Sequence, residues 1–216
     1  VRISVTLIDQ YRKFMLDEYV SEQDLIESVK GVWKPTRKVL CGQSFDSIVQ
    51  DPLRYQTEDG YSCDGISWPG GEMEEKVLPL FQHIKTWQPK EIRPVTVNET
   101  PVNLVTKVDA LDADGIVEVK TTWSGFDYER YQAAHQWRHY LLNFGAKWIR
   151  YHVFDWREPA SGPFKLYGVE TFTLYPYAGM EAECLETLGG LVDFIKSKKL
   201  EQYVADDHPR LLGRTA

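Results

Sequence analysis

The sequence predicts an α/β fold: a single domain in which a central mixed β-sheet is flanked by helices. Three observations predict it. Apolar residues recur every three to four positions as far as Lys85, and from Lys90 the period drops to two. From there the order is three strands, a helix, two strands and a helix, with no internal repeat. The length, 216 residues, suits one large domain that buries a core without disulfides or metals. The expected division is a helical part at 1–88, a sheet and helix at 90–175, and a C-terminal helix at 178–199.

In chain order, Val5, Leu7, Ile8, Tyr11, Phe14 and Met15 share one helical face over Ile3 to Met15, with Ser4 or Thr6 as N-cap. Ser21 to Lys30 follows as a helix, with Ser21 and Asp24 as a capping signal and Gly31 as its stop. Lys34 to Arg37, broken by Pro35, reads as a loop, and Gly42 to Val49 as a short helix ended by Asp51-Pro52. Residues 52–71 read as a loop or irregular hairpin, and Glu72 to Lys85 as a helix carrying Val77, Leu80, Phe81 and Ile84. Ile92 to Val97 is a strand that Pro94 assigns to an edge or bulge. Val102 to Ala110 and Gly115 to Thr122 form a hairpin turning at Leu111 to Asp114. Tyr128 to Phe144 is one helix stopped by Gly145. Trp148 to Trp156 and Phe164 to Leu174 are strands separated by a loop at 158–163, Ala178 to Lys199 is a helix, and a polar tail ends the chain.

Composition narrows the classes. Hydrophobic residues are 43% and charged residues 26%, as in a soluble globule. No run approaches the ~18 apolar residues of a membrane span. Val1 to Gln10 lacks the basic start and long apolar stretch of a secretory signal, so an intracellular, cytoplasmic location without a membrane partner is expected. Cys41, Cys63 and Cys184 contain no CxxC pair, which argues for buried thiols over a disulfide framework, zinc ribbon or iron–sulfur cluster. The five histidines show no HxH or HExxH spacing, and no GxSxG, GxxxxGK[ST] or GxGxxG occurs. The net charge of −7, taken alone, argues against a polyanionic partner, whereas 13% aromatic residues keep a stacking or sugar-binding surface in view.

The chemistry concentrates between Leu104 and Thr122. Asp109 closes one strand, and Glu118 and Lys120 share a face of the next, with Val117 and Val119 on the other. The hairpin sets Asp109 beside Glu118. Two neighbouring carboxylates repel unless a cation lies between them or one is protonated. Hard oxygen ligands suit Mg²⁺ or Mn²⁺, to which the carbonyl of Val119 could add. Lys120 could then orient a water and stabilise a charged transition state. Read as a bare motif, Glu118 and Lys120 are more simply an exposed ion pair, and Asp112 to Gly115 a plain turn; the surroundings decide.

These residues, Asp109 and Glu118-Val119-Lys120-Thr121, resemble the D…(D/E)xK core of the PD-(D/E)XK nuclease superfamily, and within it the RecB-like and phage-type exonucleases. Tyr131 to Tyr140 is similar to that family's QxxxY helix, with Gln136 and Tyr140 at its named positions. Gly42-Gln43-Ser44-Phe45-Asp46 is similar to its GxxFH or GxxFE segment, with Asp46 keeping a carboxylate at the ligand position. Ile3 to Leu7 with Tyr11 resembles the N-terminal helix entry. The cysteines of the iron–sulfur members are missing. The resemblance runs from about residue 3 to 154.

It implies a restriction-endonuclease-like core and a Mg²⁺-dependent DNA nuclease. Asp46, Asp109, Glu118 and the Val119 carbonyl would serve the metal, Lys120 the nucleophile, and Gln136 and Tyr140 the substrate. It also implies an exonuclease acting on DNA ends in phage or bacterial recombination. With that come a single-strand annealing or recombination partner, a ring-like homo-oligomer, and a bacterial or phage-infected host cell. An endonuclease or junction resolvase on the same core is the alternative within the class. A non-catalytic DNA- or carbohydrate-binding module is the alternative outside it.

Gln132, Gln136 and Tyr140 fall on one helical stripe beside an apolar stripe of Ala133, Trp137, Leu141 and Phe144. Gln136 reads as a cleft-border residue or a half-exposed glutamine, and Tyr140 as a site or a core residue. Residues 130–157 hold Arg130, Arg138, Lys147, Arg150 and Arg157 against Asp155, a basic stretch suited to phosphates or a solvated compensating face. Arg130, Gln132 and Arg138 are the candidate DNA-binding residues. His135, His139 and His152 are expected to add charge at lower pH, and Trp123, Tyr128 and Trp137 to stack on unpaired bases.

Overall fold

A computed structural model describes residues 1–32, 34–159 and 164–206. The end of the loop expected at 158–163 and the polar tail at 207–216 lie outside the described residues.

The N-terminal part follows its capping signals. The first helix, α1, is Val5–Met15, and the Ser4 hydroxyl accepts from the Leu7 N–H at 3.3 Å. Before it lies a strand that periodicity cannot show, β1 (Arg2–Ser4), three residues long with Ile3 fully buried. α2 (Glu22–Lys30) has a capping box between Ser21 and Asp24 and ends on left-handed Gly31. α3 (Arg37–Gln50) starts five residues before the expected Gly42, because Thr36 caps it and its first turn is solvent-exposed. After α4 (Pro52–Tyr55), the expected irregular segment is a small antiparallel sheet of β2 (Gln56–Thr57), β3 (Gly60–Cys63) and β4 (Ile66–Pro69).

The helix expected over 72–85 is shorter and uneven. It begins as α5 (Gly70–Glu72), passes through a π-turn at Met73–Val77 and closes as a 3₁₀ turn at Leu78–Phe81, where Pro79 prevents further winding. Ile84 is loop and Thr86–Trp87 is a strand, β5.

From there the expected alternation appears. The strands are β6 (Lys90–Val97), β7 (Thr100–Lys107), β8 (Ala110–Asp112), β9 (Gly115–Thr122), β10 (Trp148–Arg157) and β11 (Lys165–Leu174). Pro94 does lie on an edge strand: one sheet runs β1-β7-β6, with β1 parallel to β7. A second runs β11-β10-β9-β8-β5, with β9 and β10 parallel and the other pairs antiparallel. The helix expected over 128–144 is two helices, α6 (Tyr128–Ala133) and α7 (Gln136–Phe144), because Ala134 turns to ψ 141°. α8 (Met180–Ser197) closes the domain, followed by a 3₁₀ turn at Glu201–Tyr203.

The five-stranded sheet separates two apolar cores. Ile116, Tyr140, Leu141, Tyr151 and Val153 join the core under α1, α7 and α8. Val117, Val119, Phe45, Trp68, Phe154 and Trp156 form the other, under α3. Cys41, Cys63 and Cys184 are buried free thiols, as expected. Among the described residues, no helix is long and apolar enough to cross a membrane.

The strand expected over 102–110 is broken: the chain changes sheets between Lys107 and Ala110, leaving β7 in the first and entering the second as β8, so the expected hairpin is reduced to the short β8–β9 pair and Asp109 lies between strands. β8 pairs with β9 only as far as Ala110 opposite Val117. Beyond that point β9 has an open edge, and the two sheets fork. The fork is pinned from outside, where the Gln88 N–H donates to the Asp109 carbonyl at 2.8 Å and the Val108 N–H to the Pro89 carbonyl at 3.2 Å.

Candidate active site

Asp109 stands at the fork and Glu118 is the next residue on β9 past the last paired position. Their polar groups cross over: the Asp109 N–H donates to Glu118 Oε1 at 3.1 Å, and the Val119 N–H donates to Asp109 Oδ2 at 2.8 Å. Two backbone donors that lost sheet partners at the fork are thereby satisfied by side chains. Lys120 lies on the same β9 face as Glu118 and donates to Glu118 Oε2 at 2.5 Å, with Asp109 Oδ2 3.6 Å away. One ammonium thus serves two carboxylates. Glu118 is 1% exposed, Asp109 23% and Lys120 30%, so the cluster opens to solvent on the lysine side.

The electrostatics follow from that crowding. Burial, reinforced by the Asp109 charge and opposed by Lys120, pushes the Glu118 carboxyl up to about 7. Burial pulls the Lys120 ammonium down, but Glu118 and Asp109 more than offset it and carry it well above the ordinary lysine value. Asp46 approaches from α3, on the other side of the sheet. Its carboxyl is raised well above the usual range by burial and by Asp109 and Glu118, with Lys120 acting against them. Gly42 is what lets α3 come this near: a Cβ there would stand 3.2 Å from Thr121 Oγ1 on β9. Asp46 is one helical turn further along the same face.

Three acids face one lysine, and the upward shifts of Glu118 and Asp46 show that one ammonium does not hold all three ionised; hard carboxylate oxygens are the donors that Mg²⁺ and Mn²⁺ take. Asp109 and Glu118 already converge on one cation, the ammonium of Lys120, so this pair fits a divalent ion. The expected three-carboxylate grip is not assembled: among the described residues, no three His, Cys, Asp or Glu side chains are gathered to hold a metal. Asp46 lies within electrostatic reach of the pair without joining it.

α7 supplies the opposite wall. Tyr140 is 4% exposed, and burial together with Glu118 raises its phenol well above the ordinary value. Gln136 is the first residue of α7, half-buried, one turn before Tyr140 on the same face. The break at Ala134 takes Gln132 off that stripe. Its side chain is exposed, while its carbonyl accepts from Trp137 Nε1 at 3.0 Å. Sequence reasoning missed Tyr151. It is paired directly with Glu118 in the β9–β10 register, and burial and the Glu118 charge raise its phenol. The available signal was its place in an apolar strand: a tyrosine there needs a polar neighbour for its hydroxyl.

The basic stretch does not stay free. Arg138 donates to Tyr177 Oη at 2.8 Å and to the carbonyls of Ala133 and Ala134 at 3.1 and 2.8 Å, so it stitches the α6–α7 break together. Lys147 pairs with Asp114 at 2.7 Å, Arg157 with Asp155, and Arg150 lies 4.7 Å over the Trp148 ring. Arg130 is exposed, with no ion pair among the described residues. The histidines do not add charge at mildly acidic pH. Burial, with cationic neighbours assisting, drives His135 and His152 down to about 4 and His139 to about 3. Trp137, 3% exposed, belongs to the core and offers no stacking face.

No protein-family model matches the chain, and no curated protein matches it. Among solved structures, the alkaline exonuclease LHK-Exo from Laribacter hongkongensis is similar at a TM-score of 0.50 and 13% identity, over 93% of this chain and 92% of that one. The structure of SSO0001 is similar at the same TM-score and identity, over 91% and 76%. At that identity the likeness concerns the fold, and it spans nearly the whole of both exonuclease and chain. The α/β fold of this chain is similar to that of the alkaline exonuclease LHK-Exo.

Proposed function

We propose that this chain is a Mg²⁺-dependent deoxyribonuclease, an exonuclease that hydrolyses phosphodiester bonds from DNA ends. The observation that carries the reading is the contact set of Asp109, Glu118 and Lys120 at the sheet fork. A core residue set would not bury one carboxylate at 1% exposure against a second and leave their shared ammonium open to solvent. The structural neighbour LHK-Exo is an alkaline exonuclease, which supports the same chemistry.

In this reading Asp109 and Glu118, with Asp46 approaching from α3, hold the divalent ion. When bound, the ion polarises the phosphoryl oxygen and acidifies a water. Lys120 presents its ammonium at the open side of the cluster, where it orients the attacking water and offsets the charge gathering on the phosphoryl oxygens. Tyr140 and Tyr151 wall the site and exclude bulk water from Glu118. Gln136, half-buried at the start of α7, is placed to hold a non-bridging phosphate oxygen.

Linear and closed-circular DNA incubated with Mg²⁺, Mn²⁺ or EDTA test this directly. Shortening of the linear DNA alone, abolished by EDTA, is the expected result. Cutting of the circle would replace exonuclease with endonuclease. No cutting of any nucleic acid in either metal would leave a binding module.

A further inference from the structure

The sheet face that carries Glu118 continues outward as a row of aromatic rings. Glu118 of β9 is in register with Tyr151 of β10, and Tyr151 with Phe172 of β11. The Tyr151 and Phe172 rings stack at 5.1 Å with planes 13° apart. α6 and the loop before it lie across this row. Tyr131 reaches both rings at 5.7 Å, Phe126 stacks on Tyr131 at 6.0 Å, and Tyr128 meets Phe172 edge-on at 5.1 Å. Exposure rises outward, from 2% at Tyr151 to 37% at Phe126 and 39% at Tyr128. The Tyr131 phenol still lies in the field of Lys120.

Cover for Phe172 alone would be served by any aliphatic side chain. Here the outer rings are aromatic, partly open and held in place. The Thr122 hydroxyl donates to the Gly125 carbonyl at 2.9 Å, Gly125 adopts φ 97°, and Asp127 caps α6 through the Arg130 N–H at 3.2 Å. These contacts fix Phe126 and Tyr128 on either side of the cap. The exposed guanidinium of Arg130 is on the same short helix. Aromatic faces beside a cation bind unpaired bases and their phosphates without regard to sequence. With strands ~4.8 Å apart, Phe172 stands about 10 Å from Glu118, so a base on the outer rings lies within a few nucleotides of the carboxylates.

The geometry points to this ladder as the platform for an unpaired end of the DNA strand being cut. Bases stack on Phe126 and Tyr128, Arg130 takes a phosphate, and the strand continues to the open, Lys120 side of the carboxylate cluster. The inference rests on the nuclease reading and deepens it: Phe126, Tyr128 and Arg130 form a site for unpaired bases beside the cutting centre.

The test uses short single-stranded oligonucleotides with 2-aminopurine near one end or the other, titrated with the protein in Ca²⁺. Cleavage of the same oligonucleotides in Mg²⁺ and in Mn²⁺ is followed in parallel. Wild type should quench the fluorescence of at least one probe. Phe126→Ala/Tyr128→Ala should bind about tenfold more weakly and lose the quench, the size of effect a lost base–aromatic stack gives. Tyr128→Leu keeps apolar cover over Phe172 without a π-face and should weaken binding too, while Tyr128→Trp should restore it. Thermal melting verifies that each variant is folded. Cleavage by wild type, with the double variant binding and quenching unchanged, would overturn the platform and leave the nuclease standing. Loss of quench in the variants with no cleavage by wild type in either metal would uphold the platform and remove the nuclease. Absence of any binding or quench by wild type overturns the platform.

Discussion

Asp109 and Glu118 latch the sheet fork from both sides, the backbone of Asp109 held by the Glu118 carboxylate and the backbone beyond Glu118 held by the Asp109 carboxylate. Asp109 Oδ2 also faces Lys120, as does the second oxygen of Glu118, Oε2. In the proposed nuclease, structural and chemical duties would therefore fall on one pair, and substitutions can separate them.

Asp109→Asn keeps an oxygen for the Val119 N–H but removes the charge. It should melt close to wild type and lose cleavage by more than ~100-fold, since charge at the reacting centre is what is lost. Asp109→Ala also leaves that N–H unpaired, and should be less stable by about 1 kcal/mol. Denaturant titrations alongside DNA digests distinguish the two; equal stability of the variants would show that the latch carries no weight.

Lys120→Met should abolish cleavage and cost on the order of 2 kcal/mol of stability, less than the ~3–5 of a fully buried pair because Lys120 keeps 30% exposure. With its ammonium gone, Asp109 and Glu118 should hold Mn²⁺ more tightly than in wild type, read by calorimetry. Weaker Mn²⁺ binding would mean that the lysine assists the cation site instead of standing in for its occupant.

Gly42→Ala adds helix propensity of up to ~1 kcal/mol to α3, yet its Cβ would press on Thr121 Oγ1 at 3.2 Å. The expected outcome is a stable protein with reduced activity, because α3 backs away from β9 and takes Asp46 with it. Thr121→Ala in the same chain should restore activity. A double-mutant cycle on cleavage rates measures the coupling.

Three histidines make an acid-labile contribution to stability, which the raised carboxyls of Glu118 and Asp46 oppose over the same pH range. His135, His139 and His152 have folded-state values pressed below the unfolded value of 6.5. Between those values the unfolded chain binds protons at these histidines that the native chain does not, so their contribution is intact above about pH 6.5 and is lost as pH drops toward 4. At ~1.4 kcal/mol per pH unit, His139 and His152, 2% and 5% exposed, would each contribute on the order of 3–5 kcal/mol to that loss. Urea midpoints at pH 7.5, 6 and 5 measure the balance: relative to wild type, His139→Leu should gain stability progressively as pH falls, and an unchanged difference across the three pH values would remove the histidine contribution.

Much of the site was legible in the residues themselves. Alternation on β9 sets Glu118 and Lys120 on one face, and the short turn returning to β9 sets Asp109 opposite Glu118. The edge position of Pro94 and the caps at Ser4, Ser21 and Gly31 follow from backbone chemistry within a few residues. The early start of α3 was hidden by its exposed first turn, and β1 by its length of three residues. The break at Ala134 was hidden by an apolar pattern that runs on across it. Arg138, counted as a phosphate ligand, turned inward because the carbonyls exposed by that break needed a donor.

By itself, the sequence determined what depends on neighbours along the chain: the α/β order, the hairpin and the acid–acid–lysine set. Tertiary structure alone decided how far those groups are desolvated and what meets them from elsewhere. The fork that buries Glu118, the approach of Asp46 over Gly42, the walls of Tyr140 and Tyr151, and the aromatic row across two strands and α6 all join residues distant in sequence. The cause is that charge, protonation and stacking depend on distance and dielectric, which packing sets and local pattern does not.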